Sequence, residues 1–455
     1  MRLLFVALIL VFSASDILNV GLSLGHGLSV KNALLYPIFL GLIFRMALTG
    51  RFRMRLPVIN VAFVLWITYA ILTWVACVTM IHYPGYRPVE MGMELKSMLI
   101  DSGLIFFLYF YGAEDDADFV LLSKTLAFCM SLASILTLAD LAGLVDLHIT
   151  VGTTGVEAGR VFGVFDNAND TGAIIVCTLP LIVVVARASS GAARLFWYAG
   201  VFASIAVLVL TISRSAYVGL VVGYAAAVWL CRRYLPTSKV AAWTLIGVTC
   251  SVIAGAVAAA LMPGLAHLFG ERLFNQSMAM SMSVASSGRT TVWMQAIETM
   301  MSQPITLLTG FGWDVYNTMF VLVTHNYYLD MWFGLGLIGL FSFVTIEYQA
   351  VVTALRAIAV GEGQQRSYMI AFVLGMLGLA VCLFFGNLDR PWCYVWIYAG
   401  FTLRAAVEMI EKAGKAAVVR APAGAPLGPV PRPARAAGNP IHIARGGRAA
   451  GGVRR

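Results

Sequence analysis

The stretch PVINVAFVLWITYAILTWVACVTM, residues 57–80, contains no charged residue along its whole length. About 20 apolar residues in a helix suffice to cross the roughly 30 Å hydrocarbon core of a bilayer. Further apolar blocks of similar length occur along the chain, which is 60% hydrophobic and only 12% charged. A soluble domain usually carries roughly 25% charged residues to cover its surface. The sequence therefore predicts an all-α polytopic membrane protein.

The apolar blocks predict about twelve transmembrane helices. Their expected bounds are 3–24, 31–49, 57–80, 96–112, 119–142, 167–186, 195–213, 215–231, 240–262, 327–350, 367–386 and 392–409. A second span rather than a cleavage site follows the first block, which is therefore expected to be an anchor helix. The expected organisation is nine spans in 1–262, a long outer loop in 263–326, three spans in 327–410 and a tail in 411–455.

Lysine and arginine residues indicate the orientation of these helices. The loops after the second, sixth, eighth and tenth spans are the basic ones, and all four lie on one side if both termini are cytoplasmic. The tail is rich in Pro, Gly and Ala, and residues 420–455 hold seven arginines and no acidic residue. Most of the +9 net charge thus belongs to a segment expected to be disordered near anionic lipids. Because no folded basic domain accompanies it, nucleic acid is not an expected partner.

The cysteines do not form a metal-binding or disulfide pattern. None of the seven belongs to a CxxC pair, and most lie inside apolar blocks, so they are expected to be small buried hydrophobic residues. Their positions are Cys77, Cys129, Cys177, Cys231, Cys250, Cys382 and Cys393. Neither a metal site nor a cofactor is expected.

The long outer loop contains a helical pattern. In SSGRTTVWMQAIETMM, residues 286–301, apolar side chains recur at the spacing of one helix face, and Ser286 or Ser287 can cap the start. These apolar positions are Trp293, Ala296, Ile297, Met300 and Met301. An amphipathic helix on the outer membrane face is predicted, followed by a glycine-rich turn over residues 310–313.

Arg214 lies in TISRSAYVGL, between two apolar blocks, with Ser213 and Ser215 as its polar neighbours. A lone guanidinium in hydrocarbon costs several kcal/mol, so this side chain must face protein, water or an anion, or else snorkel at a helix end. Gly219 and Gly223 follow at a spacing that predicts close packing against another helix.

Arg289 lies in the first turn of the predicted outer helix, and His325 lies in THNYYLD, where the long outer loop re-enters the membrane. A cation in the first turn of a helix opposes the helix dipole unless an anion is also bound there. A histidine accepts a proton near neutral pH, which suits a general base. Each residue also has a structural interpretation: Arg289 as part of a polar helix surface, His325 as an interfacial residue with satisfied hydrogen bonds.

The segment GRVFGVFDNANDTG, residues 159–172, makes the start of the sixth span unusually polar, and Arg160 is its basic residue. A calcium loop is excluded because alanine occupies the third position of the Asp166–Asp170 run. Asp166 is expected to hydrogen-bond at the helix start, and Asn169 either does the same or contacts an acceptor sugar. Arg87, in HYPGYRPVE, has aromatic neighbours that could stack on a sugar.

Together these segments resemble the O-antigen ligase and O-antigen polymerase superfamily of bacterial surface-glycan enzymes. The similarity is carried by GRVFGVFDNANDTG, by the SRS turn and by SSGRTTVW, LLTGFGW and THNYYLDMWFGLGLIG in that order. It covers roughly residues 150–345 by motif, and the whole chain by number of spans. The resemblance implies a GT-C-like bundle in the bacterial inner membrane, with the active site facing the periplasm.

The resemblance also implies an activity and a set of site residues. Members transfer a glycan from an undecaprenyl-pyrophosphate carrier to a hydroxyl of an acceptor glycan or lipid, without metal or nucleotide. By this resemblance, Arg214 and Arg289 would hold the pyrophosphate and His325 would be the base. The expected substrate contacts are Arg160, Arg87, Asn169 and Asn326.

Three other functions remain open from the sequence. A polymerase of the same superfamily would differ in its acceptor and not in its base or phosphate contacts. A secondary transporter or flippase would equally suit twelve spans, although a long outer loop with arginine and histidine favours an external active site. A scaffold for polysaccharide export would leave the position of Arg214 unexplained.

Overall fold

The computed structural model describes residues 2–18, 23–25, 28–50, 54–147, 151, 159–236, 288–320, 323–388 and 391–420, together with isolated positions between 238 and 256. This part of the chain is almost entirely helical, apart from a short antiparallel pair of strands, β1 (Ser23–Gly25) and β2 (Leu28–Ser29). The predicted all-α class is confirmed. Met1–Glu411 form one compact unit; Lys412–Arg455 form a second, which is helical up to Arg420.

Sixteen α-helices lie in the described residues. In chain order they are α1 (Arg2–Ile17), α2 (Val30–Thr49), α3 (Pro57–Ala76), α4 (Pro88–Leu95), α5 (Asp101–Gly112), α6 (Asp116–Leu141), α7 (Ala168–Ala188), α8 (Gly191–Leu210), α9 (Arg214–Val218), α10 (Tyr224–Cys231), α11 (Arg289–Ser302), α12 (Ile305–Thr309), α13 (Val315–Met319), α14 (Tyr327–Val360), α15 (Gly363–Phe384) and α16 (Trp392–Arg420). Wider π-helical turns extend α3 (Cys77–Ile81), join α4 to α5 (Lys96–Ile100) and join α9 to α10 (Gly219–Gly223). A 3₁₀ turn, Gly163–Phe165, precedes α7.

Eight helical stretches in the described residues are long and apolar enough to cross a membrane. They are Val30–Thr49, Pro57–Ile81, Asp116–Leu141, Ala168–Ala188, Gly191–Leu210, Arg214–Cys231, Tyr327–Val360 and Gly363–Phe384. The protein is therefore a multi-pass membrane protein, as predicted. Three predicted spans are not among the eight. The first overlaps α1, which ends at Ile17 rather than at residue 24; the fourth corresponds to Lys96–Ile100 and α5, and the twelfth overlaps α16. The ninth, at 240–262, and the tail beyond Arg420 lie outside the described residues, so the total of twelve stays a prediction.

The tenth predicted span is not one straight helix, which corrects the sequence prediction. Inside α14, Gly336 has φ 61° and ψ −166°, values that break the helix. The Tyr328 hydroxyl donates to the Glu347 carboxylate at 3.0 Å, although 19 residues separate them. In a straight helix these residues would lie about 28 Å apart. The first turns of α14 therefore fold back against its longer part.

The fold-back is locked by the glycine-rich turn that the sequence predicted. Phe311 and Gly312 donate their backbone N–H groups to the carbonyls of Phe333 and Gly334, at 2.9 and 2.8 Å. These carbonyls lie at the helix break, so a neighbouring segment supplies the donors they lack there. A side chain on Gly336 would overlap the Leu308 carbonyl. The glycine-rich turn at residues 310–313 and the helix break at Gly336 therefore stabilise each other.

The bundle core forms where small residues let helices approach closely. Helix α7 packs against α6, α8 and α15, and α14 packs against α3 and α15. A Cβ atom on Gly223 would lie only 2.5 Å from the Gly378 Cα, so the turn after α9 touches the backbone of α15. The predicted close packing at Gly219 and Gly223 is confirmed, and it fits the use of glycine at membrane helix interfaces.

Helix α11 matches the predicted amphipathic helix with two corrections. Its N-cap position is Gly288, which makes no side-chain cap bond; the serines expected to cap it lie outside the described residues. Its buried face consists of Val292, Ala296 and Met300, whereas Met301 is 61% exposed. Of the cysteines, five are buried and Cys393 is half-buried. Cys250 lies outside the described residues.

Candidate active site

His325 lies just before α14, where the segment that contains α11, α12 and α13 ends. Its backbone is left-handed, with φ +48°, a conformation that an ordinary residue seldom adopts. The next residue, Asn326, caps α14 by accepting the Leu329 N–H at 3.0 Å. On the other side, buried Thr324 lies 3.4 Å from the Asn387 amide. Both neighbours are therefore fixed, which fixes the direction of the imidazole between them.

Helix α11 is docked onto this junction by two side chains from its first turns. Arg289 donates from Nη1 to the Phe385 carbonyl at 2.7 Å, at the end of α15. Trp293 donates from Nε1 to the Thr324 carbonyl, also at 2.7 Å. The second bond is made to the residue immediately before His325. The apolar periodicity of α11 thus positions an arginine near the histidine, as well as burying a hydrophobic face.

Arg160 joins the start of α7 to the end of α8. Its buried guanidinium donates from Nε to the Thr211 carbonyl at 2.9 Å and from Nη2 to the Asn169 side-chain oxygen at 2.8 Å. The same oxygen accepts the Ser213 hydroxyl at 3.0 Å. Arg214 begins α9 directly after Ser213 and is half-buried. The polar segment before α7 and the SRS turn therefore belong to one hydrogen-bonded unit.

Two of these cations act electrostatically on His325. Burial of the imidazole, together with the positive charges of Arg289 and Arg160, lowers the pKa of His325 from 6.5 to about 4. Burial removes the water that would solvate an imidazolium, and the guanidinium groups repel it. At neutral pH the ring is therefore uncharged and has one nitrogen able to accept a proton.

A cavity of about 700 Å³ opens beside His325. Its lining comes from α2, the π-helical turn between α4 and α5, the start of α7, the segment around α13 and the first turns of α14. His325, Asn169 and Asn387 are polar lining residues on the side of the Arg160 and Arg289 contacts. A bulky ligand in this cavity would therefore have one end at the histidine, with two arginines nearby.

Left-handed backbone conformations at non-glycine residues recur around this site. His325 has φ +48°, Ile212 before the SRS turn has φ +46°, and Asp166 before α7 has φ +53°. Such conformations cost about 1–3 kcal/mol each and persist where surrounding contacts hold them, often at functional sites. Here the three residues lie on the three segments that meet at Arg160 and His325. The strain therefore coincides with the proposed chemistry.

Comparison with known families matches residues 199–344 to the model for O-antigen ligase. The matched segment spans about a third of the chain. The matched range contains Arg214, Arg289 and His325, and it confirms the resemblance to the O-antigen ligase and polymerase superfamily. Among curated proteins, none matches the chain significantly. The family identifies an enzyme of the glycosyl-transfer type, a ligase or polymerase that acts on lipid-linked glycans.

The structure brings together only some of the predicted site residues. Arg289 and Arg160 influence His325 directly, and Asn169 lines the cavity. Arg214 is linked to this group through Ser213 but does not line the cavity. The roles of all these residues stay predictions.

Two predicted substrate contacts have other partners in the structure. The Asn326 side chain caps α14 and is 5% exposed. The Arg87 side chain is 71% exposed, pairs with Glu90 at 3.0 Å and lies outside the cavity lining. At the start of α7, the capping residue is Asn167, whose side chain accepts the N–H groups of Asn169 and Asp170. The hydrogen bond expected of Asp166 at this helix start stays a prediction.

Several cavity residues were not selected from the sequence. Asn387 follows α15, and Asn32 lies on α2, far from the motifs in sequence. The one available signal was an amide at the outer end of an apolar span, which is too common to single out a site. Within the described residues, no group of three or more His, Cys, Asp or Glu side chains could hold a metal ion.

Proposed function

We propose that this protein transfers a glycan from an undecaprenyl-pyrophosphate carrier to a hydroxyl group of an acceptor at the periplasmic face of the inner membrane, as an O-antigen ligase does. The observation that carries the proposal is the meeting of Arg289, Arg160 and His325 beside one cavity. The family match supports the reaction class. The donor, the acceptor and the side of the membrane are the proposed parts.

The proposed step is a single displacement. The acceptor oxygen attacks the anomeric carbon of the donor sugar as the bond from that carbon to the pyrophosphate oxygen breaks. The acceptor proton passes to His325, and undecaprenyl pyrophosphate leaves with the bonding electrons. Attack from the face opposite the leaving group inverts the anomeric centre. The imidazolium then returns its proton to water.

Arginine is suited to the leaving group. Its planar guanidinium can form paired hydrogen bonds with phosphate oxygens, and it remains charged throughout the physiological range. Arg289 is proposed to meet the diphosphate, because its positive charge acts on His325 beside the cavity. Arg214 is proposed as the second contact. Arg160, whose bonds tie Thr211 to Asn169, is proposed to position the SRS turn and to add positive potential.

The neutral state of His325 supports its assignment as the base. An imidazole with a pKa of about 4 is a weak base in the free protein, but at neutral pH it is unprotonated and can accept a proton. A bound diphosphate would offset the positive charge of Arg289, and this would raise the pKa of His325 towards its usual value. Donor binding would thus make His325 a stronger base before the acceptor hydroxyl attacks.

The test is transfer by the purified full-length protein in lipid nanodiscs. Undecaprenyl-pyrophosphate-linked glycan and an acceptor glycolipid are supplied, and the product is identified by mass spectrometry, with its anomeric configuration determined by NMR. The expected product is the acceptor extended by the whole donor glycan with inverted configuration. Release of free glycan, or movement of intact donor without a new glycosidic bond, would contradict the proposal.

The same assay separates a ligase from a polymerase. If the donor is supplied alone, a polymerase joins donor units into a ladder of increasing length, whereas a ligase leaves the donor unchanged. The expected result is no ladder without the acceptor.

A further inference from the structure

Glu347 is an ionisable residue inside α14 that the proposed transfer step does not use. It is the one acidic residue between Asp330 and Glu362, in a stretch long and apolar enough to cross a membrane. It lies outside the cavity lining and beyond the segment matched to the O-antigen ligase model. A carboxyl group in such a span is costly and usually has a function and a specific partner. The identity of that partner therefore bears on the role of Glu347.

The partner is the hydroxyl group of Tyr328, in the first turn of the same helix. This hydroxyl donates to Oε2 of Glu347 at 3.0 Å and also reaches the carbonyl oxygen of Ala380, in α15, at 3.1 Å. Three segments meet at this hydroxyl: the first turn of α14, the longer part of α14 after Gly336, and α15. Tyr328 therefore fastens the folded-back turn to two apolar helices of the bundle.

Helix α15 ends at Phe384, which connects Tyr328 to α11. The Phe384 ring centroid lies 6.4 Å from that of Tyr328 and 5.9 Å from that of Trp293. The carbonyl of the following residue, Phe385, accepts the hydrogen bond from Arg289 at 2.7 Å. Tyr328 and Arg289 are thus both attached near the outer end of α15.

The position of His325 depends on the first turn of α14. His325 precedes Tyr328 by three residues, less than one turn of helix. A displacement of that turn would carry the imidazole with it, while Arg289 would stay attached to the end of α15. The bonds to the carbonyls of Phe333 and Gly334 hold the folded-back turns at their far end, near Gly336. Glu347 and Ala380 hold the end that is close to His325.

We infer that Glu347 is a positioning residue for His325: through Tyr328, its carboxyl group keeps the first turn of α14 where the imidazole lies beside the cavity and near Arg289. The inference rests on the proposed function, because it assigns to Glu347 the placement of the proposed base. Glu347 acts through Tyr328 and not by contact with the substrate. A side chain that keeps an acceptor oxygen at this position should therefore replace it, whereas one without an acceptor should not.

Two variants separate the hydrogen bond from size and charge. Glu347→Gln keeps the length and an acceptor oxygen for the Tyr328 hydroxyl, whereas Glu347→Met keeps the length without this acceptor. Both remove the ionisable group, so a difference between them is due to the hydrogen bond. In Glu347→Met the hydroxyl retains the Ala380 carbonyl as an acceptor, so the variant should fold. Tyr348→Phe is the matched control, since Tyr348 adjoins Glu347 in sequence but is 63% exposed.

The first measurement is an NMR titration of His325 without substrate, in full-length protein labelled with carbon-13 at the histidine Cε1 atoms. The His325 signal is identified by its absence in His325→Gln. Without the hydrogen bond, the imidazole can move away from Arg289 and Arg160 and become more hydrated. The pKa of His325 should therefore rise from about 4 towards 6.5 in Glu347→Met.

The pKa of His325 should stay at the wild-type value in Glu347→Gln and Tyr348→Phe. A general loss of stability reduces the amount of folded protein but does not change the pKa of a group in the molecules that remain folded. An unchanged pKa in Glu347→Met, or the same rise in Glu347→Gln, would overturn the inference.

The second measurement is transfer kinetics. Glu347→Met should lower kcat about tenfold or more and change the KM values of donor and acceptor less than about threefold, because the binding groups stay while the base is misplaced. Glu347→Gln should retain most of the wild-type kcat. Tyr328→Phe should resemble Glu347→Met, and the double variant should lose little more than either, because both changes remove the same hydrogen bond. Fully additive losses would contradict an action through Tyr328.

These results can be told apart from a failure of the proposed function. If the pKa of His325 responds as expected but the wild-type protein transfers no glycan, the transfer proposal fails while the positioning inference stands. If the wild-type protein transfers glycan and Glu347→Met keeps both the wild-type kcat and the wild-type pKa of His325, the transfer proposal stands while the inference fails.

Discussion

At His325 a left-handed backbone and a lowered side-chain pKa occur in one residue. Neither property is favourable for folding, because the first strains the chain and the second reflects an imidazole buried near two cations. The contacts of Thr324, Asn326 and Trp293 hold the residue in place regardless. A costly conformation kept by several neighbours, next to a cavity, supports a functional role for His325.

Replacement of His325 by glutamine should abolish the base while keeping a polar side chain of similar size. We expect transfer activity to fall by about 10²–10⁴-fold, the usual contribution of a general base. His82→Gln is the matched control, because His82 also has a left-handed backbone, φ +55°, but is exposed and outside the cavity lining. Comparable losses in both variants would point to folding rather than catalysis.

Replacement of Arg289 by glutamine should shift the pH dependence of transfer. His325 accepts a proton only when it is unprotonated, so kcat/KM falls as the pH drops through its free-enzyme pKa, about 4 in the wild type. Without the Arg289 charge, the pKa of His325 rises towards 6.5 and the acid limb moves to higher pH. Initial rates at low donor concentration across the acid range measure this shift.

Two further observations control the Arg289 experiment. Arg194→Gln, at an exposed position in α8, should leave the acid limb in place. Loss of activity in Arg289→Gln without any shift of the acid limb would mean that the titrating group is not His325.

The sequence revealed the site residues that stand out from apolar surroundings. Arg160, Arg289 and His325 are polar residues next to transmembrane blocks, and burial of such groups is costly enough to require a reason. The capping residues were harder to predict. Asn167 rather than Asp166 caps α7, because the backbone of Asp166 is left-handed and cannot take the extended cap conformation. The choice of capping residue depends on local backbone dihedral angles, which cannot be predicted from residue types alone.

At the scale of elements, α14 shows how one glycine changes a transmembrane helix. Hydropathy predicts an uninterrupted span from residue 327, because the apolar pattern continues through GLGLIG. The break at Gly336 depends on a partner, since the carbonyls at the break are satisfied by Phe311 and Gly312 from a distant segment. A contact of this kind is long-range information, and a local pattern could not supply it.

Replacement of Gly336 by alanine should destabilise both α14 and the turn at residues 310–313 that packs against it. Its dihedral angles belong to a region essentially restricted to glycine, which costs an alanine about 1–3 kcal/mol, and the added methyl would also overlap the Leu308 carbonyl. The thermal denaturation midpoint in detergent should fall, and activity should fall with it.

Gly41→Ala is the matched control for Gly336→Ala. Gly41 lies within α2, and a Cβ atom there would meet nothing within 4 Å. Alanine is favoured over glycine in a helix by about 0.5–1 kcal/mol, so this variant should be neutral or slightly more stable. Equal melting of the two variants would contradict the fold-back as a structural requirement.

At the scale of the whole molecule, ion pairs support the prediction that the N-terminus and the loops after α2 and α5 lie on the same side of the membrane. Arg2 pairs with Asp115 and Asp118, and Arg45 pairs with Glu114, all on the side assigned to the cytoplasm. The acidic run after α5 therefore neutralises basic residues of that side, which explains how it can lie there without opposing the positive-inside rule.

The orientation predicts which positions an impermeant reagent can reach. Met319→Cys, at the end of α13, should react with a charged maleimide in intact spheroplasts, whereas Ala193→Cys, in the first turn of α8, should react only after permeabilisation. Both positions are exposed. A background carrying Cys250→Ser removes the one cysteine outside the described residues, since the others are buried or half-buried. The reverse labelling pattern would invert the proposed topology.

The bonds that hold the segment from α11 to α13 against the helix bundle affect how substrates can reach the site. This stretch is fastened to the bundle by Arg289 and Trp293, by the two backbone bonds at Phe311 and Gly312, and by the Tyr69 hydroxyl on the Thr309 carbonyl. It cannot swing away as a hinged lid unless all of these bonds break at once. Turnover should therefore not wait for a gate made of these three helices.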